Sequence, residues 1–414
     1  MKKNPRILIT TQVYPPEFQP TAVMVREFAH YLIGKGWDVQ VVAGFPHHPY
    51  GKLFSGYKMW LWSKKTENGI PVLRVAHFIS KNRSIPVRAF VYLSQALGCM
   101  LAGMAVEKPD LIIDYGPPLA GPFLQWLVAK RHGAKLVNVI YDVYPDIAIE
   151  TGKVTNPIVI AMARWAGKFQ YSAADRTVVL SEGLKKLLIQ KGVPAEKISV
   201  IPVWLDPNEI KPLPRDNAWR RENKIPIDKT VVLYAGTIGV ISGAEIVADV
   251  AAILRDHKDI VFVLVGSGEA RAPLEAKAKD LGLNNIMFFP YQDRKRLSEV
   301  QATGDIGLVT LLPGRGRTSV PSKVLGYLAA GRPVIASVDL DSDTADDIGK
   351  ANAGLVVEPA NPKALAEAVL KAKNDPAWRE VAGKNARAHL ERNYAWNNVL
   401  EQYRQVLDDV INYK

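Results

Sequence analysis

The sequence predicts an α/β protein with two doubly wound, Rossmann-like domains. Its 414 residues suit two domains of about 100–200 residues each. Short apolar segments alternate with helical patterns in two successive series, and such alternation is typical of parallel sheets covered by helices on both faces. Prolines and polar residues between positions 207 and 217 separate the two series and predict a linker.

The first series, residues 1–205, begins with one βαβ unit. Arg6–Thr11 is a short apolar strand, a helix with an apolar face begins near Thr21, and Asp38–Ala43 is the next strand. Further strands are predicted at 71–76, 110–115, 135–141, 177–180 and 198–203.

The second series, residues 206–395, has the same organisation. Its strands are predicted from position 230 and at 260–266, 286–289, 306–310, 333–337 and 354–357. A last helix, about 396–414, is expected to cross back to the first domain.

The net charge of +12 lies in the first half of the chain. Residues 1–205 hold 25 Lys and Arg against 13 Asp and Glu, whereas residues 206–414 hold 28 of each. A basic domain of this kind indicates an anionic partner such as a membrane surface or a phosphorylated substrate, the alternative being charge that serves solubility. Nucleic acid is disfavoured, because no zinc knuckle and no basic stripe with interleaved aromatics is present.

One cysteine and one long apolar run bear on location. Cys99 alone cannot form an intramolecular disulfide, which favours the reducing cytoplasm. The run Ala89–Val106 is interrupted by Ser94, Gln95 and Gly98, so it falls short of the roughly 18–20 uninterrupted residues of a spanning helix. We expect a buried amphipathic helix, with a helix on a membrane surface as the alternative.

Candidate binding residues lie in loops that follow the strands of the second domain, where open parallel sheets bind ligands. Glycines and small residues in three of these loops would let backbone amides approach a diphosphate or a nucleobase edge. The candidates are Gly236, Thr237, Gly239, Gly266, Ser267, Gly268, Glu269 and Tyr291. The Gly-x-Gly at 266–268 lacks the third glycine and the distant acid of a dinucleotide fingerprint, which argues against an NAD enzyme.

A fourth loop carries the strongest signal. Pro321 and Ser322 predict a helix start with Ser322 as its cap, and Gly331 ends that helix before a strand. Backbone amides of residues such as Val324, with the charges of Lys323 and of Arg317 upstream, would form a diphosphate site.

These segments, in this order, resemble glycosyltransferase family 4 of the GT-B fold, especially members that extend bacterial polysaccharides on lipid-linked acceptors. The matching stretches are 14–16, 34–41, 46–51, 141–146, 236–239, 265–269 and 321–333. The resemblance implies two domains facing across a cleft. It further implies a retaining transferase that needs no metal or other cofactor, with the nucleotide diphosphate on the second domain and the acceptor on the first.

Two departures from the family pattern affect the donor site. The resemblance implies two glutamates eight positions apart, one near the donor sugar and one on the ribose, but Thr318 and Gly326 stand there. An Arg/Lys pair of the family is replaced by residues 240–242, Val-Ile-Ser. Lys323, Arg317 or Arg294 is expected to supply the missing charge.

Carboxylates and histidines in the first domain are the acceptor-side candidates. Asp142 follows a predicted strand, where its carboxylate could take the proton of an acceptor hydroxyl or orient the donor sugar. Pro16, Thr21, His47, His48 and Asp146 complete the set. Caps and structural roles remain the alternatives for the aspartates and the histidine pair. Asp341-Ser342-Asp343 is interpreted as a solvated loop and not as a metal site.

The leading hypothesis is a glycosyltransferase at the inner face of the cell membrane. It would move a hexose or N-acetylhexosamine from a UDP- or GDP-linked donor to a polyprenyl-diphosphate-linked saccharide in cell-surface polysaccharide or lipopolysaccharide synthesis. A nucleotide-sugar epimerase of the same fold and a degenerate, non-catalytic transferase are the alternatives.

Overall fold

The chain folds into two compact units. The computed structural model describes residues 4–82, 84–116, 120–141, 143–144, 146, 149, 154–316 and 321–412. Unit 1 comprises Met1–Pro202 with Leu400–Lys414, and unit 2 comprises Val203–Val399. Each unit has a sheet with interleaved helices, which confirms the α/β class.

Unit 1 is built on an eight-stranded sheet of order β3-β4-β2-β1-β5-β6-β7-β8. The strands are β1 (Arg6–Thr11), β2 (Asp38–Gly44), β3 (Trp62–Glu67), β4 (Ile70–Val75), β5 (Leu111–Tyr115), β6 (Lys135–Ile140), β7 (Arg176–Val179) and β8 (Ile198–Val200). The helices are α1 (Pro20–Gly34), α2 (Ile85–Ala105), α3 (Ala120–His132), α4 (Pro157–Ala173) and α5 (Glu182–Gln190). All pairings are parallel except β3 with β4.

The edge strand β3 is absent from the sequence-based prediction. Its residues are largely polar, so no apolar run marks it. The hairpin to β4 turns at Asn68-Gly69, where both residues have positive φ, 51° and 78°. This dipeptide is the usual chemistry of a two-residue hairpin turn and was the available signal.

Unit 2 is built on a six-stranded, fully parallel sheet of order β11-β10-β9-β12-β13-β14. The strands are β9 (Thr230–Ala235), β10 (Ile260–Val265), β11 (Ile286–Phe289), β12 (Ile306–Thr310), β13 (Val334–Ser337) and β14 (Gly354–Val357). The helices are α6 (Ala218–Glu222), α7 (Ile246–Ile253), α8 (Arg271–Asp280), α9 (Leu297–Thr303), α10 (Lys323–Ala329), α11 (Asp343–Ala351), α12 (Pro362–Asn374) and α13 (Pro376–Asn393). Apolar clusters cover both sheet faces, as expected for strands without polar alternation.

The C-terminal helix α14 (Trp396–Asn412) completes the core of unit 1. Tyr403 is fully buried, and its ring lies 5.0 Å from that of Phe28 on α1. The Tyr31 hydroxyl donates a 2.5 Å hydrogen bond to Glu401.

Helix α2 corrects the expectation of a buried helix at 89–106. Among the described residues it is the one helix long and apolar enough to cross a membrane, yet little of it is buried. Its buried side consists mainly of small residues such as Ala96, Ala102 and Gly103. The larger Leu93, Leu97 and Leu101 point outwards and are exposed.

Candidate functional site

The loops after β9 and β10 in unit 2 interlock through glycine. A Cβ at Gly266 would lie 1.9 Å from the Gly236 carbonyl oxygen, and one at Gly268 would lie 2.3 Å from that of Ile238. Both glycines also have positive φ, 153° and 152°. Backbone hydrogen bonds join the loops, with Ile238 N donating to Ser267 O at 2.9 Å. Only glycine permits this approach, so the loops form one rigid backbone surface.

Lys323, the first residue of α10, lies over this surface. Its Cε is 3.6 Å from the position that a Cβ on Gly236 would occupy. Its Nζ donates a hydrogen bond to the Tyr234 hydroxyl and sits 3.6 Å from the Tyr234 ring centroid. Burial lowers the pKa of Lys323 to about 7 and raises that of Tyr234 to about 12. Within the part of the chain that the structure describes, no carboxylate contacts this amine, and desolvation alone accounts for its lowered pKa.

A buried tyrosine fixes α10 to the sheet. The Tyr327 hydroxyl accepts a 2.8 Å hydrogen bond from Ala235 N and donates one of 3.2 Å to Leu308 O. Its ring fills the space above Gly307, where a Cβ would lie 2.3 Å from the ring. This anchoring sets the position of Lys323 relative to the ends of β9 and β12.

The exposed side of the surface carries hydroxyl groups. Thr237 Oγ1 and the Tyr291 hydroxyl lie 2.8 Å apart, and the same hydroxyl donates to Ser267 O at 3.3 Å. Glu269 is exposed next to Gly268. Gly239 begins a short 3₁₀ turn, Val240–Ser242, and its carbonyl accepts from Ser242 N at 3.1 Å. The sequence-predicted residues after β9, β10 and β11 thus share one sheet edge with Lys323.

Several expectations at the fourth loop need correction. Ser322 does not cap α10, because its backbone is already helical and its side chain makes no capping hydrogen bond. Arg294 is engaged elsewhere, in a 2.7 Å hydrogen bond to Glu209. Val324 is buried, and its backbone N already donates to Pro321 O at 3.2 Å, so its amide is not free for a diphosphate. Arg317 and Thr318 lie outside the described residues.

Gly326, where the family resemblance implies a glutamate, faces a glutamine. A Cβ at position 326 would lie 2.7 Å from Nε2 of Gln301 on α9. Gln301 is 5% exposed, and its side-chain oxygen has no hydrogen-bond partner in the described part of the chain. A neutral amide therefore occupies the space that a larger side chain on α10 would need. Sequence reasoning missed this residue, since α9 carries no motif.

In unit 1, Glu17 organises the loop that holds the histidine pair. This buried carboxylate accepts hydrogen bonds from the backbone N of Tyr14 at 3.2 Å, His47 at 3.0 Å and His48 at 2.8 Å. His47 is buried, and its Nδ1 lies 3.1 Å from His77 Nε2. Burial and the neighbouring imidazole lower the pKa of His77 to about 4, so His77 is neutral at pH 7.

A buried arginine holds the same end of the sheet together. Arg74 on β4 donates to both carboxylate oxygens of Glu67, at 3.1 and 2.6 Å, and to Gly44 O at 3.0 Å. It also donates to the carbonyl of Pro15. Neither Glu17, His77 nor Arg74 was singled out from the sequence, because each becomes informative only through distant partners.

The remaining acceptor-side candidates are less clustered. Asp146 forms a 2.6 Å ion pair with Lys191, which favours a structural role. Asp142 lies outside the described residues. Pro16 is half-buried in the loop after β1, and Thr21 is half-buried in the first turn of α1.

The aspartate-rich loop of unit 2 serves local structure. Ser342 Oγ accepts from Ala345 N at 3.2 Å and caps α11. The Asp339 carboxylate accepts from Gly314 N and Gly316 N, each at 2.9 Å. The described residues contain no group of three or more His, Cys, Asp or Glu side chains that could hold a metal ion.

Two family models match this chain and together span most of it. The model described as glycosyl transferase 4-like domain matches residues 21–204, and that described as glycosyl transferases group 1 matches residues 215–389. This chain belongs to the glycosyl transferases. The second match contains the loops after β9 to β12 and Lys323, and the first contains His47, His48 and Asp146.

Individual relatives and structures agree with this assignment. Over 408 residues, this glycosyl transferase is 29% identical to WcaI of Escherichia coli, described as a glycosyl transferase of colanic acid biosynthesis, covering 96% of this chain and 98% of WcaI. The fold is similar to sucrose-phosphate synthase from Thermosynechococcus elongatus, with a TM-score of 0.76 at 17% identity over 99% of this chain and 100% of the other. It is also similar to the Anabaena protein HepE solved with UDP-glucose, with a TM-score of 0.72 at 16% identity over 98% and 99% of the two chains. These neighbours confirm the GT-B fold.

Proposed function

We propose that this glycosyl transferase moves a hexose or N-acetylhexosamine from a UDP- or GDP-linked donor, and that unit 2 binds the nucleotide diphosphate. The observation that carries the proposal is Lys323 above the interlocked loops of Gly236 and Gly266. A rigid surface of backbone amides suits a diphosphate when it lies beside an ammonium group that no carboxylate of the described residues contacts. HepE, solved with UDP and with UDP-glucose, has this fold and supports the choice of ligand class.

The proposed chemistry is transfer with retention at the anomeric carbon. The bond from that carbon to the diphosphate oxygen breaks, and a new bond to the acceptor hydroxyl oxygen forms. The hydroxyl proton passes either to the leaving diphosphate, with Asp142 orienting the donor sugar, or to the Asp142 carboxylate. Lys323 stabilises the charge that develops on the leaving oxygen. Because an ammonium group supplies this charge, we propose that no divalent metal or other cofactor is needed. Asp142 would orient the donor sugar or take the proton.

The proposed acceptor is a polyprenyl-diphosphate-linked saccharide, bound by unit 1 during synthesis of a cell-surface polysaccharide. WcaI, the colanic acid relative, supports the pathway class. The excess of basic residues in 1–205 supports an anionic acceptor and contact with an anionic membrane on its cytoplasmic side. Pro16, Thr21, His47, His48 and Asp146 remain the proposed acceptor-side residues.

One observation favours a second candidate, a transferase fold that has lost catalysis. Gln301 fills the space beside Gly326, so the donor site lacks a carboxylate there. Replacing a charged hydrogen-bond partner of a ribose hydroxyl by none would weaken donor binding by about tenfold to a hundredfold.

A thermal-unfolding panel of UDP, GDP and their sugar conjugates tests the donor site. A ligand at about one hundred times its dissociation constant stabilises the folded state by roughly 2.7 kcal/mol. We expect a shift with one nucleotide diphosphate, lost in Lys323→Met and kept in Lys384→Met, an exposed lysine on α13. Donor turnover with a lipid-linked saccharide in the presence of EDTA then tests transfer. If none of these ligands raised the unfolding temperature of the wild type, the non-catalytic candidate would be favoured.

A further inference from the structure

Helix α2 carries large apolar side chains on the side that faces away from the rest of unit 1. Leu93, Leu97 and Leu101 recur every four residues and are exposed, as are Ile85 and Phe90. The side that faces the protein includes the polar Gln95, which is fully buried. A helix that packs only within its own domain places its large apolar residues inwards. The outer side of α2 is therefore built for an apolar environment outside this unit.

Helix α4 repeats the arrangement. Ile158, Met162 and Trp165 lie on one side at helical spacing and are 70%, 68% and 71% exposed. Two cations, Arg164 and Lys168, are exposed on the same helix. Apolar side chains with cations at their border are typical of helices that lie in a membrane interface.

The exposed residues of α2 and α4 belong to one surface. Helix α3 packs against both helices. Phe123 of α3 is exposed, and its ring centroid lies 5.1 Å from that of Phe169 on α4. Along the other flank of α2, Trp62 and Lys64 of β3 line a groove together with Ala102. We call this continuous surface, formed by α2, α3, α4 and β3, the apolar face of unit 1.

Basic residues and tryptophans border the apolar face. Lys64 is exposed on β3 and lines the groove with Trp62. Lys130 is exposed on α3, with its Nζ 5.7 Å from the Trp126 ring centroid. Trp60 and Trp62 are 68% and 51% exposed at the same edge. Tryptophan prefers the boundary between acyl chains and water, and cations prefer anionic headgroups.

We propose that the apolar face of unit 1 inserts into the headgroup region of an anionic lipid bilayer. The proposal assigns residues to the membrane contact of the proposed function, and it stands without the transfer chemistry. Charge complementarity selects the bilayer over a second copy, because a copy would bring the same basic border against itself.

Helix α2 lies along the bilayer and does not cross it. Its inner side packs on β2, β4 and α3. A Cβ at Gly98 would lie 2.8 Å from the Ala76 carbonyl oxygen, and Ser94 accepts a 3.0 Å hydrogen bond from Phe78 N. A helix fixed this closely to a sheet can bury only its outer side in lipid.

Vesicle sedimentation tests the proposal with the full chain and no donor or acceptor. The probes are vesicles of phosphatidylglycerol with phosphatidylethanolamine, compared with phosphatidylcholine. We expect the wild type to sediment with the anionic vesicles. Leu93→Gln/Leu97→Gln and Met162→Gln/Trp165→Gln should each lower partitioning at least about tenfold, because two inserted apolar side chains are lost.

Leu340→Gln/Val381→Gln is the matched control, since both residues are apolar, 58% exposed and in unit 2. Its partitioning should equal that of the wild type. Unchanged melting temperature and nucleotide binding in every variant would show that the fold and the donor site are intact.

Quenching by lipids with brominated acyl chains reports insertion directly. Wild-type fluorescence should fall further than that of Trp165→Phe. Three results would overturn the proposal: no sedimentation of the wild type, equal losses in the control, or an oligomer that the α2 and α4 substitutions dissociate while no vesicle binding is seen. Failed sugar transfer with normal vesicle binding would refute only the proposed function.

Discussion

When the donor binds, the Lys323 amine should take up a proton. Burial lowers the pKa of this amine to about 7 in the free protein. At pH 8.5 only about 3% of the protein would then carry the ammonium form. A diphosphate beside Nζ favours the charged form, so the pKa is higher in the complex than in the free protein. Binding and protonation are therefore coupled in the alkaline range.

The size of the coupling follows from the shift. Above the pKa of the free protein, affinity should fall about tenfold, or ~1.4 kcal/mol, for each pH unit until the pKa of the complex is reached. Between pH 7.5 and 8.5 the protonated fraction of the free amine falls from about 24% to about 3%, so the dissociation constant should rise about eightfold. The neighbouring Tyr234 does not titrate in this window, because burial raises its pKa to about 12.

Titration calorimetry measures the effect. The ligand is the nucleotide sugar chosen by the unfolding panel, since its diphosphate does not titrate above pH 7. Heats collected in two buffers of different ionisation enthalpy give the number of protons taken up, which should approach one at pH 8.5. Lys323→Met should bind more weakly and with no proton uptake, and Lys384→Met should behave as the wild type. Absent uptake in the wild type, or equal uptake in Lys323→Met, would refute the reasoning.

Three further outcomes are expected. Gly268→Ala should destabilise unit 2 by about 1–3 kcal/mol in chemical denaturation, because its Cβ would lie 2.3 Å from the Ile238 oxygen at positive φ; an unchanged midpoint would contradict the interlocked loops. Gly326→Glu should lower the melting temperature through its clash with Gln301, and Gln301→Ala in the same chain should restore it; failure of this rescue would show that the clash lies elsewhere. The pKa of His77 is about 4 in the folded protein and an ordinary 6.5 in the unfolded chain. The free energy of unfolding should therefore be highest above pH 6.5 and fall by about 3 kcal/mol as the pH is lowered to 4, because only the unfolded chain takes up the proton in that range. In urea unfolding, the stability of His77→Asn should depend less on pH than that of the wild type. If variant and wild type lose the same stability between pH 6.5 and 4, His77 is not the responsible group.

The alternation of strands and helices was predictable from the sequence because it depends on local hydrophobic pattern. The buried runs of β1, β9 and β10 have no polar alternation, which is typical of central parallel strands. The edge strand β3 was not predicted, because its side chains are largely polar and solvated. The side of α2 that packs on the sheet could not be predicted, because both sides of the helix are apolar and residue type alone does not distinguish them.

The candidate site was predictable where it depends on backbone and on position after a strand. Gly266, Gly268 and Lys323 follow from chain-local motifs. The pairs that give the site its chemistry join elements far apart in sequence, as Lys323 with Tyr234 and Gly326 with Gln301. No spacing rule within one segment predicts such pairs, and the low pKa of Lys323 depends on them.

Helix α14 has a consequence for the order in which the chain matures. Unit 2 is complete within Val203–Val399, whereas unit 1 requires residues 400–412 to bury Phe28 under Tyr403. Domains generally fold as they emerge from the ribosome, the N-terminal one first. Here the core of unit 1 stays incomplete beside α1 until residues 400–412 have been synthesised, which happens only after unit 2. Chaperones that act on nascent chains would therefore meet unit 1 as the late-maturing part of the protein.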